Sequence, residues 1–441
     1  MAPRIRSPKL ILALLTVLWL LNNLDRYVLA AVLAKVQGDL SLTNFVAGWL
    51  PSIFLIGYFA TSPVFGRMGD RGRASGSAAS GAAVRNALLA GGVAVWSAAT
   101  VASGLAQNAA SLMAARAFVG IGEASYGTLA PPLIDEIAPP DRKSMWMSIF
   151  SAATPIGAAL GYLAGGAILH AYGWRAAFFV PGVPGIAAAV LCLLLYPERS
   201  TSAAADTTRQ ESTARVVRSL LSIGLYRSAL VGYCAYTFAI GGFGYWAPKY
   251  LYARYGLDAG AASFKFGLVT VAGGIVGTLL GGALADRAVR RERARQSAVR
   301  GSAGLTAEAA ERAADDATAR ANAKVCAIAC AVGTPLALAT ICAPTAGAFF
   351  ALALPCQIAL FILSGPINVT LLRSAPLALR ASAMAVCIFA IHAFGDLWSN
   401  PFIGLIADHA PMQTAMYAVP VAFLLAAIVW WRGALASARL T

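Results

Sequence analysis

Residues 66–73 of this sequence read Gly66-Arg67-Met68-Gly69-Asp70-Arg71-Gly72-Arg73 and follow an apolar segment of the chain. A similar stretch follows a later apolar segment and reads Gly282-Ala283-Leu284-Ala285-Asp286-Arg287-Ala288-Val289-Arg290-Arg291. In both stretches a glycine lies about one helical turn before an Asp-Arg pair. The two aspartates are 286 − 70 = 216 residues apart, close to half of the 441 residues. This repeat predicts two homologous halves, an architecture found in secondary transporters.

The composition argues against a water-soluble fold. Hydrophobic residues make up 59% of the chain and charged residues only 12%, against roughly 25% charged in a soluble globular domain. Lysine and arginine exceed aspartate and glutamate by 34 − 19 = 15. In a soluble protein this excess would suggest a nucleic-acid partner, but in a membrane protein it indicates positive charge held on the cytoplasmic side. We therefore predict a membrane protein with no nucleic-acid partner.

Twelve apolar runs, each long enough to cross a bilayer as a helix, recur along the chain. Their approximate bounds are 9–36, 44–66, 82–105, 109–134, 145–171, 174–196, 228–253, 264–285, 323–343, 345–370, 381–405 and 412–432. We predict an all-α membrane protein with twelve transmembrane helices in two six-helix halves, residues 1–196 and 223–441, joined by a polar cytoplasmic linker over 197–222. The charged cytoplasmic segment 287–322 is compatible either with a helix on the membrane surface or with a solvated loop.

Basic residues predict the orientation of these spans. Arginine and lysine cluster at both termini and in the even-numbered connections, whereas the connections after spans 3 and 9 carry none. This bias places both termini in the cytoplasm. The odd-numbered connections contain four exceptions, which are Lys35, Lys249, Arg254 and Lys265. The composition, rich in alanine and arginine and poor in lysine, suggests a multi-pass protein of a bacterial inner membrane.

Four ionisable residues fall inside spans 1 and 4, where charges are costly and tend to face a cavity. Asp25 and Arg26 are adjacent in span 1, and Arg116 and Glu123 point to one side of span 4 because they are two helical turns apart. We expect Asp25 and Glu123 to bind and release protons, since burial favours a neutral carboxyl and a nearby arginine favours a charged one. Two alternatives remain. The charges could only hold the two spans together, or the arginines could bind an anionic head group.

A second group of ionisable residues lies in spans 3 and 11. His392 and Asp396 are neighbours on one face of span 11 because they are four residues apart. This pair could relay protons, or it could be a hydrogen-bonded clamp within the second half. Arg85 lies nearer to the end of span 3, and we expect it to snorkel or to form a structural ion pair.

The Asp-Arg pairs of the repeated stretches are candidates for a cytoplasmic gate. Asp70 and Arg71 end span 2, and Asp286 and Arg287 end span 8. Charges at helix ends can bridge two halves when the inner side is closed and separate when it opens. The arginines also anchor the topology, but anchoring does not explain the aspartates.

Several motifs resemble signatures of the major facilitator superfamily. They are the two repeated stretches, Arg116-xxx-Gly120, the Gly-rich span 5 and Gly173-Trp174-Arg175-xx-Phe178. A narrower set resembles the spinster branch of this superfamily, whose members are lipid transporters. It comprises Asn23-Leu24-Asp25-Arg26, Arg116-xxx-Gly120-Ile121-Gly122-Glu123-Ala124-Ser125-Tyr126, Trp246-Ala247-Pro248-Lys249-Tyr250, Gly365-Pro366-Ile367-Asn368 and His392-xx-Gly395-Asp396. The resemblance covers essentially the whole chain.

The sequence departs from the family pattern in two places. The first cytoplasmic motif lacks one spacer residue between Arg71 and Gly72, and Ser399-Asn400-Pro401 has an extra residue where the branch tends to have Ser-Pro. Both departures concern the geometry of gating more than the choice of substrate.

The resemblance implies a substrate such as a lysophospholipid or a sphingosine-phosphate-like lipid. Arg26 and Arg116 could bind its anionic head, and aromatic residues such as Tyr58 and Tyr126 could line an apolar wall for its chain. Aromatic residues at such positions more often serve helix packing, so a drug or a small polar metabolite remains an alternative substrate. An apolar cavity that opens laterally to the bilayer would favour the lipid.

An enzyme or a channel is less consistent with this sequence. It contains no HExxH, GxSxG or P-loop motif and no clustered His and Cys ligands, so we expect no catalytic residue, metal or cofactor. We predict a proton-coupled monomer whose partners are protons, membrane lipids and the amphipathic substrate. The energy source would be an ion gradient or the gradient of the substrate itself.

Glycines at i, i+4 and i+8 mark one face of two spans. They are Gly157, Gly161 and Gly165 in span 5 and Gly273, Gly277 and Gly281 in span 8. Small-residue stripes allow a second helix to approach closely. The family arrangement places spans 5 and 8 in opposite halves, and we expect the two spans to slide or rock against each other at these stripes.

Overall fold

The computed structural model describes residues 5–74, 78–139, 142–195, 213–300 and 307–438. These residues form helices joined by short connections, with one isolated backbone bridge between Ile5 and Leu195. Among them, ten helical stretches are long and apolar enough to cross a membrane, by length and composition. The prediction of an all-α membrane protein is confirmed.

Six single helices form the first six spans. Their bounds are α1 (Pro8–Leu40), α2 (Asn44–Ala74), α3 (Ala78–Leu105), α4 (Ala109–Ile137), α5 (Lys143–Tyr172) and α6 (Trp174–Leu193). A short helix follows and precedes the next three spans; these four helices are α7 (Thr213–Ser222), α8 (Gly224–Tyr255), α9 (Ala259–Arg300) and α10 (Ala307–Ile341).

The last three spans are each interrupted. They are α11 (Ala346–Phe361) with α12 (Pro366–Ser374), α13 (Arg380–Ile391) with α14 (Leu397–His409), and α15 (Met412–Met416) with α16 (Ala418–Ala438). A 3₁₀ turn over Ile362–Ser364 separates the first pair, and a π turn over His392–Asp396 separates the second. The described part of the chain thus contains the twelve predicted spans.

Two of these spans, α4 and α8, are too polar to qualify as membrane helices by length and apolarity alone. α4 contains Arg116, Glu123, Asp135 and Glu136. Ionisable groups in a span are costly unless they are paired or face a cavity. The charged side chains of α4 are therefore expected to be paired or to face a cavity.

The chain divides into two compact units, Met1–Asp206 with Tyr245–Leu268, and Thr207–Gly244 with Val269–Thr441. The division predicted from the sequence assigned residues 245–268 to the second half. In the structure they group with the first unit because they bond to it: the Tyr245 hydroxyl donates to the Ala47 carbonyl (2.7 Å), and the Ser263 hydroxyl donates to the Ala31 carbonyl (2.6 Å).

The Gly-Trp-Arg motif before α6 connects the C-terminal ends of α1, α3 and α5 in the first unit. Gly173 has a φ of 81°, a conformation that favours glycine, and it separates α5 from α6. The Trp174 indole then donates to Asp39 at the end of α1 (2.6 Å), and the Arg175 guanidinium donates to the Ala106 carbonyl beyond α3 (2.7 Å). The motif therefore satisfies backbone and side-chain groups at three helix ends.

The glycine stripe of α5 packs against α1. A methyl group built at Gly161 would lie 2.6 Å from the Tyr27 Cβ and 2.8 Å from the Leu24 carbonyl oxygen. Gly157 and Gly165 meet α1 in the same way. The second stripe, in α9, packs against α11, where a methyl group at Gly277 would lie 2.5 Å from the Ile358 carbonyl oxygen. The expectation that the two stripes would slide against each other is therefore wrong.

Other glycines bring α5 and the start of α9 together within the first unit. A methyl group at Gly166 would lie 2.5 Å from the Gly260 carbonyl oxygen, and one at Gly260 would lie 2.5 Å from the Gly166 carbonyl oxygen. A methyl group at Gly267 would lie 2.7 Å from the Tyr162 Cβ. Spans 5 and 8 thus do approach closely, as expected, but through glycines outside the two stripes.

The charged segment 287–322 continues the two neighbouring spans as helices where it is described. α9 runs on to Arg300, and α10 begins at Ala307. The extension of α9 is joined to α10 by an ion pair between Glu292 and Lys324 (3.1 Å), and Asp315 accepts hydrogen bonds from Arg373 (2.7 Å) and Arg380. The segment is therefore neither a separate surface helix nor a solvated loop in its described parts.

Gly161→Ala should destabilise the protein, because the added methyl group overlaps α1. Overpacking of this kind costs about 1–3 kcal/mol, which exceeds the gain of up to about 1 kcal/mol in helix propensity. Gly91→Ala is the matched control, since Gly91 also lies inside a helix but has no atom within 4 Å of the added methyl. Thermal unfolding in detergent should show a lower midpoint for Gly161→Ala and an unchanged or higher one for Gly91→Ala. Equal midpoints would contradict the close contact of α1 and α5.

Candidate functional site

Two ion pairs join α1 to α4 within the first unit. The Arg26 guanidinium contacts the Glu123 carboxylate through Nε (2.9 Å) and Nη2 (2.7 Å). Arg116 Nη1 lies 3.1 Å from Asp25 Oδ2. Each helix contributes one acid and one arginine, and each acid pairs with the arginine of the other helix. The structure thus brings together the four charged residues that the sequence singled out in spans 1 and 4.

Close packing of α2 on α4 places an aromatic ring beside both arginines. A methyl group at Gly120 would lie 2.0 Å from the Phe54 carbonyl oxygen, so only glycine allows this approach. The Phe54 ring centre is 4.7 Å from the Arg26 guanidinium carbon and 5.6 Å from that of Arg116. Both distances are within the range of cation–π attraction.

The two ion pairs differ in exposure. The side chains of Asp25 and Arg116 are each 1% exposed. Glu123 is fully buried, but the Arg26 side chain is 28% exposed. Arg26 is therefore the one cation of the four residues that a ligand can reach without moving a helix.

Each acid is held through a single oxygen. The second carboxylate oxygens, Asp25 Oδ1 and Glu123 Oε1, are buried and accept no hydrogen bond from the described residues. The amide of Asn22, one turn earlier in α1, is also buried with neither polar atom bonded to a described group. Because an unpaired polar group in an apolar interior is costly, each carboxylate depends strongly on its one arginine.

Aromatic side chains surround the exposed arginine. Tyr58 and Trp19 lie 5.7 and 6.0 Å from the Arg26 guanidinium carbon. The Trp19 ring stacks on Phe150 at 5.4 Å, and its indole donates to the Thr154 hydroxyl (2.8 Å) in α5. Sequence reasoning gave the aromatic residues little weight and missed Trp19, although Trp19 precedes Arg26 by two helical turns and so shares its side of α1.

Tyr126 lies deeper than the exposed arginine. Its ring is fully buried, stacks beneath Trp19 at 6.1 Å and meets Trp96 edge-on at 5.4 Å. Its hydroxyl donates to the Leu15 carbonyl in α1. The structure thus places Tyr126 in the packing between α1, α3 and α4, behind the aromatic lining of Arg26.

A third ion pair in the first unit joins α3 to α4. Arg85 contacts Glu136 at 2.6 Å, with side chains 9% and 27% exposed. Sequence reasoning expected Arg85 to snorkel or to pair but did not identify its partner. The spacing of Glu136 in α4 gives no signal for this contact, because the partner lies 51 residues away in the chain.

His392 and Asp396 form a pair within the second unit. His392 Nδ1 lies 2.8 Å from Asp396 Oδ2, and both side chains are about one-quarter to one-third exposed, at 30% and 25%. They lie on the π turn between α13 and α14, a distortion frequent at functional positions. Gly241 of α8 faces this turn, because a methyl group built there would lie 3.7 Å from Asp396 Oδ1.

The candidate gate residues are described only in part. Asp286 and Arg287 lie in α9 and are exposed. The side chains of Asp70 and Arg71 lie outside the described residues. The role of these four residues as a gate therefore stays a prediction.

The sequence of this chain is similar to those of known proteins. Residues 15–395 match the Major Facilitator Superfamily. A probable sphingolipid transporter, spinster homolog 2 of Arabidopsis thaliana, is 31% identical over 390 residues, which cover 85% of this chain and 72% of the relative. The sphingosine-1-phosphate transporter of Xenopus tropicalis is 30% identical over 289 residues, which cover 62% of this chain and 54% of that protein.

A solved structure shares the fold over the whole chain. It is a bacterial homologue of the human lysosomal transporter Spinster, crystallised in an inward-facing, unoccupied conformation. The TM-score is 0.77 at 20% sequence identity, and the match covers 98% of both chains. The twelve-helix fold predicted from the sequence is thus confirmed by a related experimental structure.

Asp25→Ala should destabilise the protein more than Glu136→Ala. The first substitution leaves Arg116 buried without its partner, and breaking a buried pair in this way costs about 3–5 kcal/mol. The second removes a side chain that is 27% exposed, so water can reach the unpaired Arg85 and the loss is smaller. Thermal unfolding in detergent measures both. The double variant Asp25→Ala/Arg116→Leu should recover part of the loss, and no recovery would contradict the pairing of these two residues.

Proposed function

Because this chain belongs to the spinster branch of the major facilitator superfamily, we propose that it is a secondary active transporter that moves an amphipathic lipid across the membrane by alternating access, coupled to protons. The superfamily comprises transporters and not enzymes. One observation carries the proposal: Arg26 is partly exposed while its partner Glu123 is enclosed. A ligand can therefore compete with Glu123 for this arginine.

The surroundings of Arg26 fit an amphiphile with an anionic head. A guanidinium binds phosphate or carboxylate oxygens through two parallel hydrogen bonds. Trp19, Phe54 and Tyr58 add an aromatic surface on which an acyl chain can pack. Lysophospholipids and sphingosine-phosphate-like lipids combine both features, and the relatives named as sphingolipid transporters support this class.

The same arginine links lipid binding to protons. When an anionic head group takes the Arg26 hydrogen bonds, Glu123 loses the cation on which its buried charge depends. A buried carboxyl without a cation is stable only in its neutral form. We therefore expect lipid binding to load a proton on Glu123, and release of the lipid to restore the ion pair and free the proton.

Asp25 is the second proton-coupling residue of the proposal. Its ion pair with Arg116 is enclosed on all sides, so a proton or a head group reaches it only after α1 and α4 move apart. We assign Glu123 to the first step, when lipid binds, and Asp25 to the later change of conformation. His392 and Asp396 stay candidates for charge pairing in the second unit.

The proposal includes an orientation. The basic connections support an orientation with both termini in the cytoplasm of a bacterial inner membrane, and we propose that the transporter acts as a monomer. The Asp-Arg pairs that follow the apolar parts of α2 and α9, Asp70-Arg71 and Asp286-Arg287, would then lie at the inner side and bridge the halves when that side is closed.

Flux into liposomes that contain the purified protein tests the substrate and the coupling together. Under an imposed pH gradient, we expect flux of a lysophospholipid or a sphingosine-phosphate-like lipid to follow the gradient. Glu123→Gln should abolish this dependence, because an amide cannot bind and release the proton. Glu136→Gln is the matched control, since it makes the same change in the same helix but in a separate ion pair.

Three outcomes would change the proposal. Flux of a cationic drug without lipid flux would contradict the substrate class but not the fold. Lipid flux that ignores the gradient in the wild type would remove proton coupling. Lipid flux that follows the gradient equally in Glu123→Gln would reduce Glu123 to a structural partner of Arg26.

Addition of lipid to the detergent-purified protein should raise the pH of a weakly buffered solution. The sign follows from the exchange at Arg26: the head group displaces Glu123, and Glu123 takes a proton from the medium. A pH-indicator dye measures the uptake, which should be lost in Glu123→Gln and kept in Glu136→Gln. A fall in pH, or uptake unchanged in Glu123→Gln, would contradict the exchange.

A further inference from the structure

The helix α9 extends well beyond its apolar part. Its 42 residues make a helix of about 63 Å, whereas the hydrocarbon core of a bilayer is about 30 Å thick. The last large exposed apolar residue of the span is Leu284, at 41% exposure. Charged residues begin two positions later, at Asp286 and Arg287.

This extension is strongly basic. Residues 286–295 read Asp-Arg-Ala-Val-Arg-Arg-Glu-Arg-Ala-Arg, which gives five positive and two negative charges, or 5 − 2 = +3. Glu292 is paired with Lys324, and Arg293 donates to the Thr318 hydroxyl. Four other arginines are exposed and, within the described ranges, make no ion pair or side-chain hydrogen bond. Three of them, Arg287, Arg290 and Arg291, lie within five residues of one another.

These three arginines point away from α10. The side of α9 that faces α10 is marked by Glu292, which pairs with Lys324. The buried Ala285 lies seven residues earlier and thus nearly above Glu292 on the same side. At about 100° per residue, Arg287, Arg290 and Arg291 lie about 120° to 160° around the helix from Ala285. They therefore form one outward surface and do not belong to the contact between the two helices.

The same side of α9 exposes apolar residues inside the span. Leu279 and Leu280 are 71% and 44% exposed, and in a membrane such side chains contact lipid chains. A separation of 7 or 11 residues brings a helix back to within about 20° of the same direction. Arg290 thus follows Leu279, and Arg287 and Arg291 follow Leu280, on the lipid-facing side.

The arginines also lie at the right height. Arg287 to Arg291 are about 5 to 10 Å beyond Leu284 along the axis, and the head-group layer is about 5 to 8 Å thick on each side of the bilayer. Long arginine side chains can reach back toward that layer. The one exposed acid beside them, Asp286, leaves this surface with a net positive charge.

We propose that Arg290 and Arg291, beside the gate candidate Arg287, form a binding site for the phosphate head groups of acidic membrane phospholipids, separate from the site at Arg26. Charge complementarity and position select this occupant, because basic residues directly beyond a membrane helix attract anionic lipids. The site would hold a lipid of the surrounding membrane and not the transported molecule. The inference depends on the membrane location of the chain and not on its substrate.

Binding of phosphatidylglycerol to the detergent-purified full-length protein tests this site. Native mass spectrometry counts the bound lipids, and thermal unfolding reports their effect. We expect phosphatidylglycerol to bind and to raise the unfolding midpoint, phosphatidylcholine to do so much less, and high salt to weaken the effect. Arg290→Gln/Arg291→Gln should weaken phosphatidylglycerol binding about tenfold or more, since each arginine near an anionic membrane surface contributes about a fivefold gain in affinity.

Matched variants separate the possible explanations. Arg215→Gln/Arg218→Gln removes the same charge from exposed positions of α7 and should keep the binding. Arg290→Lys/Arg291→Lys preserves the charge and should keep most of the phosphatidylglycerol binding. A loss confined to the Gln variant would then be attributed to the removed charge. Arg26→Gln should keep phosphatidylglycerol binding while losing lipid flux. Binding unchanged in Arg290→Gln/Arg291→Gln, or lost equally in Arg215→Gln/Arg218→Gln or in Arg26→Gln, would overturn the proposal.

Discussion

The crossed pairing of charges between α1 and α4 is the constraint on which the first unit depends. Four ionisable side chains lie in the membrane interior, and each acid is neutralised by an arginine from the other helix. Neither helix can shift relative to its neighbour without uncovering a buried charge. The packing around them follows this requirement, since the glycines of α4 and α5 allow the backbones of α2 and α1 to approach and exclude other groups from the pairs.

The two ion pairs have the same chemistry but differ in their exposure. The pair of Asp25 and Arg116 is enclosed, while the pair of Arg26 and Glu123 has one member within reach of a ligand. The aromatic residues around Arg26 lower the local dielectric and thereby strengthen the electrostatic attraction between the guanidinium and a bound anion.

The sequence predicts the members of this site better than their contacts. Charges inside apolar segments are rare enough to identify Asp25 and Glu123 directly. Helical spacing fixes the face on which Arg116 and Glu123 lie, but not which neighbour each one meets, so the crossed pattern is visible only in the structure. The same limit applies to the stripe at Gly161: its spacing predicts a close helix, yet tertiary packing decides that the helix is α1. Trp19 escaped notice because an aromatic residue in an apolar span carries no periodic signal of its own.

The crossed ion pairs can form only after both helices have been synthesised. Glu123 and Arg116 follow their partners by 97 and 91 residues, so ribosomes that add about 5–20 residues per second deliver α4 roughly 5 to 20 seconds after α1. During that interval the adjacent charges of α1 have no partner in a later helix. Asp25 and Arg26 carry opposite signs, and their proximity lowers the cost of insertion until α4 arrives. The crossed ion pairs form only once α4 is in place beside α1.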